Sequence, residues 1–83
     1  MEKKIYQIIG RTEKGTFAST GYGSSIKWVI EMFISKYPRF KGKAQITTQF
    51  AQCIGDVLIA DSAKWEVIDT FSSTKELKQY TGD

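Results

Sequence analysis

Between Ser24 and Lys43 the chain reads SSIKWVIEMFISKYPRFKGK, and no other stretch narrows the choice of fold as much. Ile26, Val29, Ile30, Phe33, Ile34 and Tyr37 recur at i, i+3, i+4, i+7, i+8 and i+11. At about 100° per residue they fall on one face of a helix. Ser24 or Ser25 can accept a hydrogen bond from the first free backbone N–H groups, and Pro38 pushes Tyr37 out of helical geometry. The spacing therefore predicts one helix over residues 25–37, running straight into a basic, aromatic tail.

Trp28 and Met32 lie outside that face and widen the apolar arc until only Lys27, Glu31 and Ser35 form a polar strip. An arc of roughly 200° exceeds the stripe, on the order of 100°, that packing on one sheet needs. The Trp28/Met32 flank therefore requires a second cover. It is either this chain's own C-terminal segment or a loop, or it is a partner, a second copy included, because Trp and Met are enriched at the centres of interfaces.

The remaining segments read as short strands and turns. Lys4 to Thr12 carries Ile5 and Ile9 on one face and Tyr6 and Ile8 on the other, as an interior strand does. Glu13-Lys14-Gly15 forms a tight turn, and Thr16 to Thr20 returns as the second strand of a hairpin. Gly21-Tyr22-Gly23 then links hairpin to helix, with Tyr22 free to project. These glycines lack the spacing of a nucleotide-binding loop.

After the helix, Ala44 to Ala51 alternates Ile46, Thr48 and Phe50 against Thr47, Gln49 and Ala51, which predicts a half-buried strand with one wet face. Residues 49–60 also fit a helical spacing. Two strands turning near Gly55-Asp56 are preferred, because Gly inside a helix costs about 1 kcal/mol and Val57-Leu58-Ile59 is a compact apolar run. A last strand alternates from Trp65 to Phe71. Ser73 and Glu76 then form an S-x-x-E capping box before a short helix over 74–80, with Leu77 and Tyr80 facing inward and well placed to cover Trp28. Residues 81–83 read as a fraying end.

The sum is an α+β fold in the order ββαβββα. A mostly antiparallel sheet of about five short strands carries one main helix on a face and a short C-terminal helix beside it. The 83 residues are expected to form a single small domain, 1–83. The N-terminal apolar stretch is too short for a secretory leader, and no run approaches the 18 or so apolar residues of a membrane span. Cys53, the single cysteine, reads as a small filler among Phe50, Ile54 and Val57 rather than half of an internal disulfide. A cytoplasmic protein with no membrane partner is expected.

Chemistry is constrained by what the chain lacks. There is no histidine, which removes the commonest general base and metal ligand together. Cys53 alone cannot hold zinc, and Asp56, Asp61, Glu66 and Asp69 would have to converge to hold a hard cation. No enzymatic role, no catalytic residue, no metal and no cofactor is expected.

Charge points elsewhere. Residues 1–43 hold nine Lys/Arg against three Asp/Glu, whereas residues 44–83 hold three against six. Such asymmetry bears on partners, not on fold. The cations Lys36, Arg39, Lys41 and Lys43 are interleaved with the aromatics Tyr37 and Phe40. Spaced cations suit phosphates and aromatic faces suit unpaired bases, so these six residues are the candidate nucleic-acid-binding or polyanion-binding loop, with Lys3, Lys4, Arg11 and Lys14 available to extend the positive field. The common modules do not fit. Ile5-Tyr6-Gln7-Ile8-Ile9 is superficially similar to the first strand of an RNA-recognition motif, but a hairpin follows where that fold needs a helix; the chain also lacks the leading helix of a double-stranded-RNA domain and the GxxG loop of the KH type. The alternative is a small regulator or inhibitor that docks on an acidic protein surface, or on a second copy, through Trp28 and Met32.

Overall fold

The computed structural model describes residues 2–80, in the order β1 (Glu2–Thr12), β2 (Phe17–Ser19), α1 (Ile26–Lys36), β3 (Lys41–Ile54), β4 (Val57–Ile59), β5 (Glu66–Ser73) and α2 (Thr74–Lys78). This is the expected ββαβββα order, a mostly antiparallel, curled five-stranded sheet with one main helix and a short C-terminal one. The expected fraying end, 81–83, lies outside the described residues.

The sheet is built on β1 and β3, which pair antiparallel without a break from Glu2–Gln52 to Thr12–Gly42. β2 lines the outer edge of β1. The outer edge of β3 is shared: β5 pairs with its first half, from Lys41 to Thr48, and β4 with its last residues, Gln52 to Ile54. The β3–β5 ladder shifts register between Lys41 and Ala44 and again between Ile46 and Thr47. Each shift leaves one residue extra on one strand, which bends and twists the sheet.

Local chemistry sets the ends of the elements. Ser25 Oγ accepts from Trp28 N–H at 3.2 Å and caps α1, while the Tyr37 N–H closes the helix on Phe33 O at 2.8 Å before Pro38 turns the chain away. At the ambiguous 49–60 segment Gly55 adopts φ +61°, a left-handed conformation, so β3 turns into β4 as a hairpin and does not continue as a helix. Ser73 Oγ caps α2 by accepting from Glu76 N–H, as the capping box predicts.

α1 lies across one side of the sheet. Val29 and Phe33 are fully buried on Ile8 and Ile46, with Ala18, Ala44, Phe40, Phe71 and Leu77 completing the main core. Phe33 is its hub, with ring centroids 5.0 Å from Tyr37, 5.3 Å from Phe40 and 5.7 Å from Phe71. Edge-on aromatic contacts of this kind add about 0.5–1.5 kcal/mol per pair beyond the burial of area. Thr74 ties α2 to the loop after α1, accepting from Phe40 N–H and donating to Tyr37 O.

A second, smaller core occupies the opposite side, which corrects the expectation of one wet face on β3. Ile46, Thr47, Thr48, Gln49 and Ala51 are all buried, whereas Phe50 is exposed. Ile5, paired with Gln49, is fully buried on this underside. The Gln49 amide grips the main chain of Asp61 with two hydrogen bonds of 3.0 Å, and Tyr22 reaches beneath the sheet to donate to Leu58 O and meet the Trp65 ring at 6.0 Å. Tyr22 is therefore partly engaged, not simply projecting. Cys53 is half-buried opposite Leu58, on the face away from Phe50 and Ile54, and is not the filler among those residues that the sequence suggests.

Candidate nucleic-acid interface

The loop after α1 does not act as one surface. Phe40 is 4% exposed and belongs to the core, so it cannot stack on a base. Tyr37 is half-buried on Phe33, and its hydroxyl donates to Ser19 O and accepts from Ser19 N–H. Lys36 lies over the Tyr37 ring, with Nζ 5.4 Å from its centroid and 3.4 Å from Ser19 O. Lys36 and Tyr37 thus fasten the end of α1 to β2. Arg39 is exposed.

Lys41 and Lys43 go elsewhere. They open β3 and line a groove on the side of the sheet away from α1, together with Ile9, Arg11, Phe17 and Gln45. The register explains the grouping: Phe17 pairs with Arg11, and Arg11 pairs with Lys43, so three adjacent strands present an aromatic, a guanidinium and an ammonium in one row. The neighbouring row, Ala18–Gly10–Ala44, faces the core with small residues. Gly42 makes the close pairing of β1 and β3 here possible, because a Cβ at that position would collide with the Arg11 carbonyl oxygen.

Phe17 is 57% exposed, on the side of the sheet away from α1. Among the described residues the only ion pair within 4.0 Å is Lys64–Asp61, so Arg11, Lys41 and Lys43 have no carboxylate partner there. Glu13 and Glu76 also border the groove, but Glu76 is occupied. Its carboxylate accepts from the N–H and hydroxyl of Ser72, which holds its pKa below the usual carboxylate value. The groove has a volume of about 1290 Å³ and is open to solvent.

The structure brings Lys41 and Lys43 together with Arg11 and adds Phe17, which the sequence pattern does not single out. The signal is present: a turn centred on Lys14 pairs residue 11 with residue 17. Lys3 and Lys4 pair with Ala51 and Phe50 at the other end of β1 and do not reach this groove.

The Trp28/Met32 flank is not covered by α2. Leu77 and Tyr80 pack toward Ile26, Ile30 and Ile34 instead, and Trp28 and Met32 remain 47% and 44% exposed. Trp28 rests on Gly23, whose missing side chain makes room for the indole.

Among the described residues no three His, Cys, Asp or Glu side chains come together to hold a metal ion; Asp56, Asp61, Glu66 and Asp69 do not converge. No helix among them is long and apolar enough to cross a membrane. No protein-family model, no curated protein and no solved structure matches the chain.

Proposed function

We propose that this protein is a non-enzymatic binding module for nucleic acid or a similar polyanion, and that the groove beside β1, β2 and β3 is its contact surface. The observation that carries the reading is the Phe17–Arg11–Lys43 row, an exposed ring beside two cations that form no ion pair among the described residues. Arg11, Lys41 and Lys43 contact phosphates, and Phe17 offers the stacking face that Tyr37 and Phe40 cannot. Arg39, exposed in the loop before β3, adds to the positive field; Lys36 contributes less, because its ammonium is already engaged.

The test is fluorescence anisotropy of labelled single- and double-stranded oligonucleotides at two salt concentrations. Binding that weakens with salt, with the log–log slope falling by about 0.7–0.9 for each cation removed in an Arg11→Gln/Lys41→Gln/Lys43→Gln series, is expected. Phe17→Ala should weaken single-strand binding by roughly 5- to 150-fold and change the slope little, since stacking is worth about 1–3 kcal/mol per base. Absence of binding at low salt overturns the reading.

A second reading, docking on a protein, is favoured by the exposure of Trp28 and Met32. It predicts partner binding that Trp28→Ala abolishes and that is indifferent to the groove cations.

A further inference from the structure

The far end of β3 has a face that no described residue covers. Phe50, Gln52 and Ile54 alternate onto the same side of β3 as the core residue Ile46, but past the row Tyr6–Thr48, level with the Gly23 bridge just ahead of α1. Ile54 pairs with Val57 and Gln52 with Ile59, so β4 adds two more apolar side chains to this face. Phe50, Ile54, Val57 and Ile59 are 64%, 65%, 60% and 50% exposed. Their intervening neighbours, Ala51, Cys53 and Leu58, turn to the underside and are buried or half-buried. The hairpin is therefore built as a two-sided sheet with one side bare.

We infer that the bare side of the β3–β4 hairpin is a homodimer interface, and that its occupant is the same face of a second copy. Two arguments select that occupant. The first is charge: Lys4 pairs with Phe50 at one end of the patch, and Asp56 sits in the turn at the other. Two copies laid face to face and antiparallel bring each Asp56 toward the partner's Lys4 end, whereas a parallel arrangement keeps like ends together. The second is area. Four side chains of this size at half to two-thirds exposure present on the order of 450 Å² per copy, or about 900 Å² between two. With Gln52, Lys4 and Asp56 at the rim the contact passes the roughly 1,000 Å² of the smallest specific interfaces. Glu2, beside Gln52, and Glu66, opposite Thr48 at the Lys4 end, are further charges on this side of the sheet; Glu2 meets its own counterpart across the axis, Glu66 offsets part of the Lys4 charge, and both keep the association modest.

This face lies on the opposite side of the sheet from the groove and at the opposite end of β3, so the inference stands or falls independently of polyanion binding. A dimer would carry two grooves directed outward.

Light scattering and sedimentation of the full chain from about 5 to about 500 µM, the range suited to an interface of this size, test it. The expected mass rises from one chain to two. Ile54→Glu/Val57→Glu should hold the protein at one chain with an unchanged circular dichroism spectrum. Lys4→Asp or Asp56→Lys alone should weaken dimerisation at least about 5-fold, and the two together should restore it to within about 2-fold. This swap probes the contact without touching the apolar residues, and so does not depend on the folding of the glutamate variant. A single-chain mass at the highest concentration, or a dimer that survives both the glutamate pair and the single charge reversals, overturns the inference.

Discussion

The two ends of β3 share one strand and one continuous partner, yet they are finished in opposite ways. At the Lys41–Ile46 end, α1 and α2 cover one side and the other is an open basic groove. At the Phe50–Ile54 end, Gln49, Tyr22 and Trp65 close the underside and the helix side is left bare. The five phenylalanines divide accordingly. Phe33, Phe40 and Phe71 sit under cover and serve stability, while no described residue covers Phe17 or Phe50, which stay exposed. Residue type does not separate these roles; the layer above each residue does.

The largest effect that would break this contrast is on stability. Phe40→Ala removes a buried ring from the aromatic cluster and is expected to cost about 3–5 kcal/mol, against at most about 0.5 kcal/mol for Phe17→Ala, in urea unfolding followed by circular dichroism. Equal losses at the two positions would show that the groove face is covered after all.

A smaller effect tests the underside. Gln49→Ala strands the N–H and carbonyl of Asp61, each of which loses a 3.0 Å partner. A loss of about 1–3 kcal/mol is expected, with faster amide exchange confined to Ile5 and residues 58–65 while the α1 core stays protected. Uniform acceleration would mean that the two cores are one cooperative unit.

The smallest effect lies at Glu76, where the groove meets α2. Hydrogen bonds from Ser72 hold its folded carboxyl below the ordinary 4.5, so protons favour the unfolded chain. Its contribution is complete above that value and fades as pH falls through the lowered one. Glu76→Gln should lower stability slightly at neutral pH and flatten the acid limb, so that the two stability–pH profiles converge at low pH. A steeper acid limb in the variant would contradict the assignment.

The order of elements is legible in the sequence because it rests on local signals: the 3.6-residue period of Ile26 to Tyr37, the caps at Ser25 and Ser73, and the glycine turn at Gly55. The candidate site is legible only in part. Lys41 and Arg11 share a groove through pairing that spans some thirty residues, and Phe40 is drawn into the core by Thr74, which lies farther along still. Whether Phe50 or Phe40 is buried depends on how far α1 reaches along a sheet curled by two register shifts, and periodicity carries no record of that distance.

The β1–β3 ladder also has a consequence in time. Its nearest pair joins Thr12 to Gly42 and its farthest joins Glu2 to Gln52, with a hairpin and a helix lying between in the chain. At roughly 5–20 residues per second, a ribosome leaves the inner edge of β1 without its partner for about 2–10 s. During that interval β1 holds only the short β2 and the nascent α1, and its apolar Ile5 and Ile8 have no sheet to enter. The last half of β3 is thus the step that commits the chain, and slow synthesis through codons 41–54 would prolong the one period in which this small fold is open to misassembly.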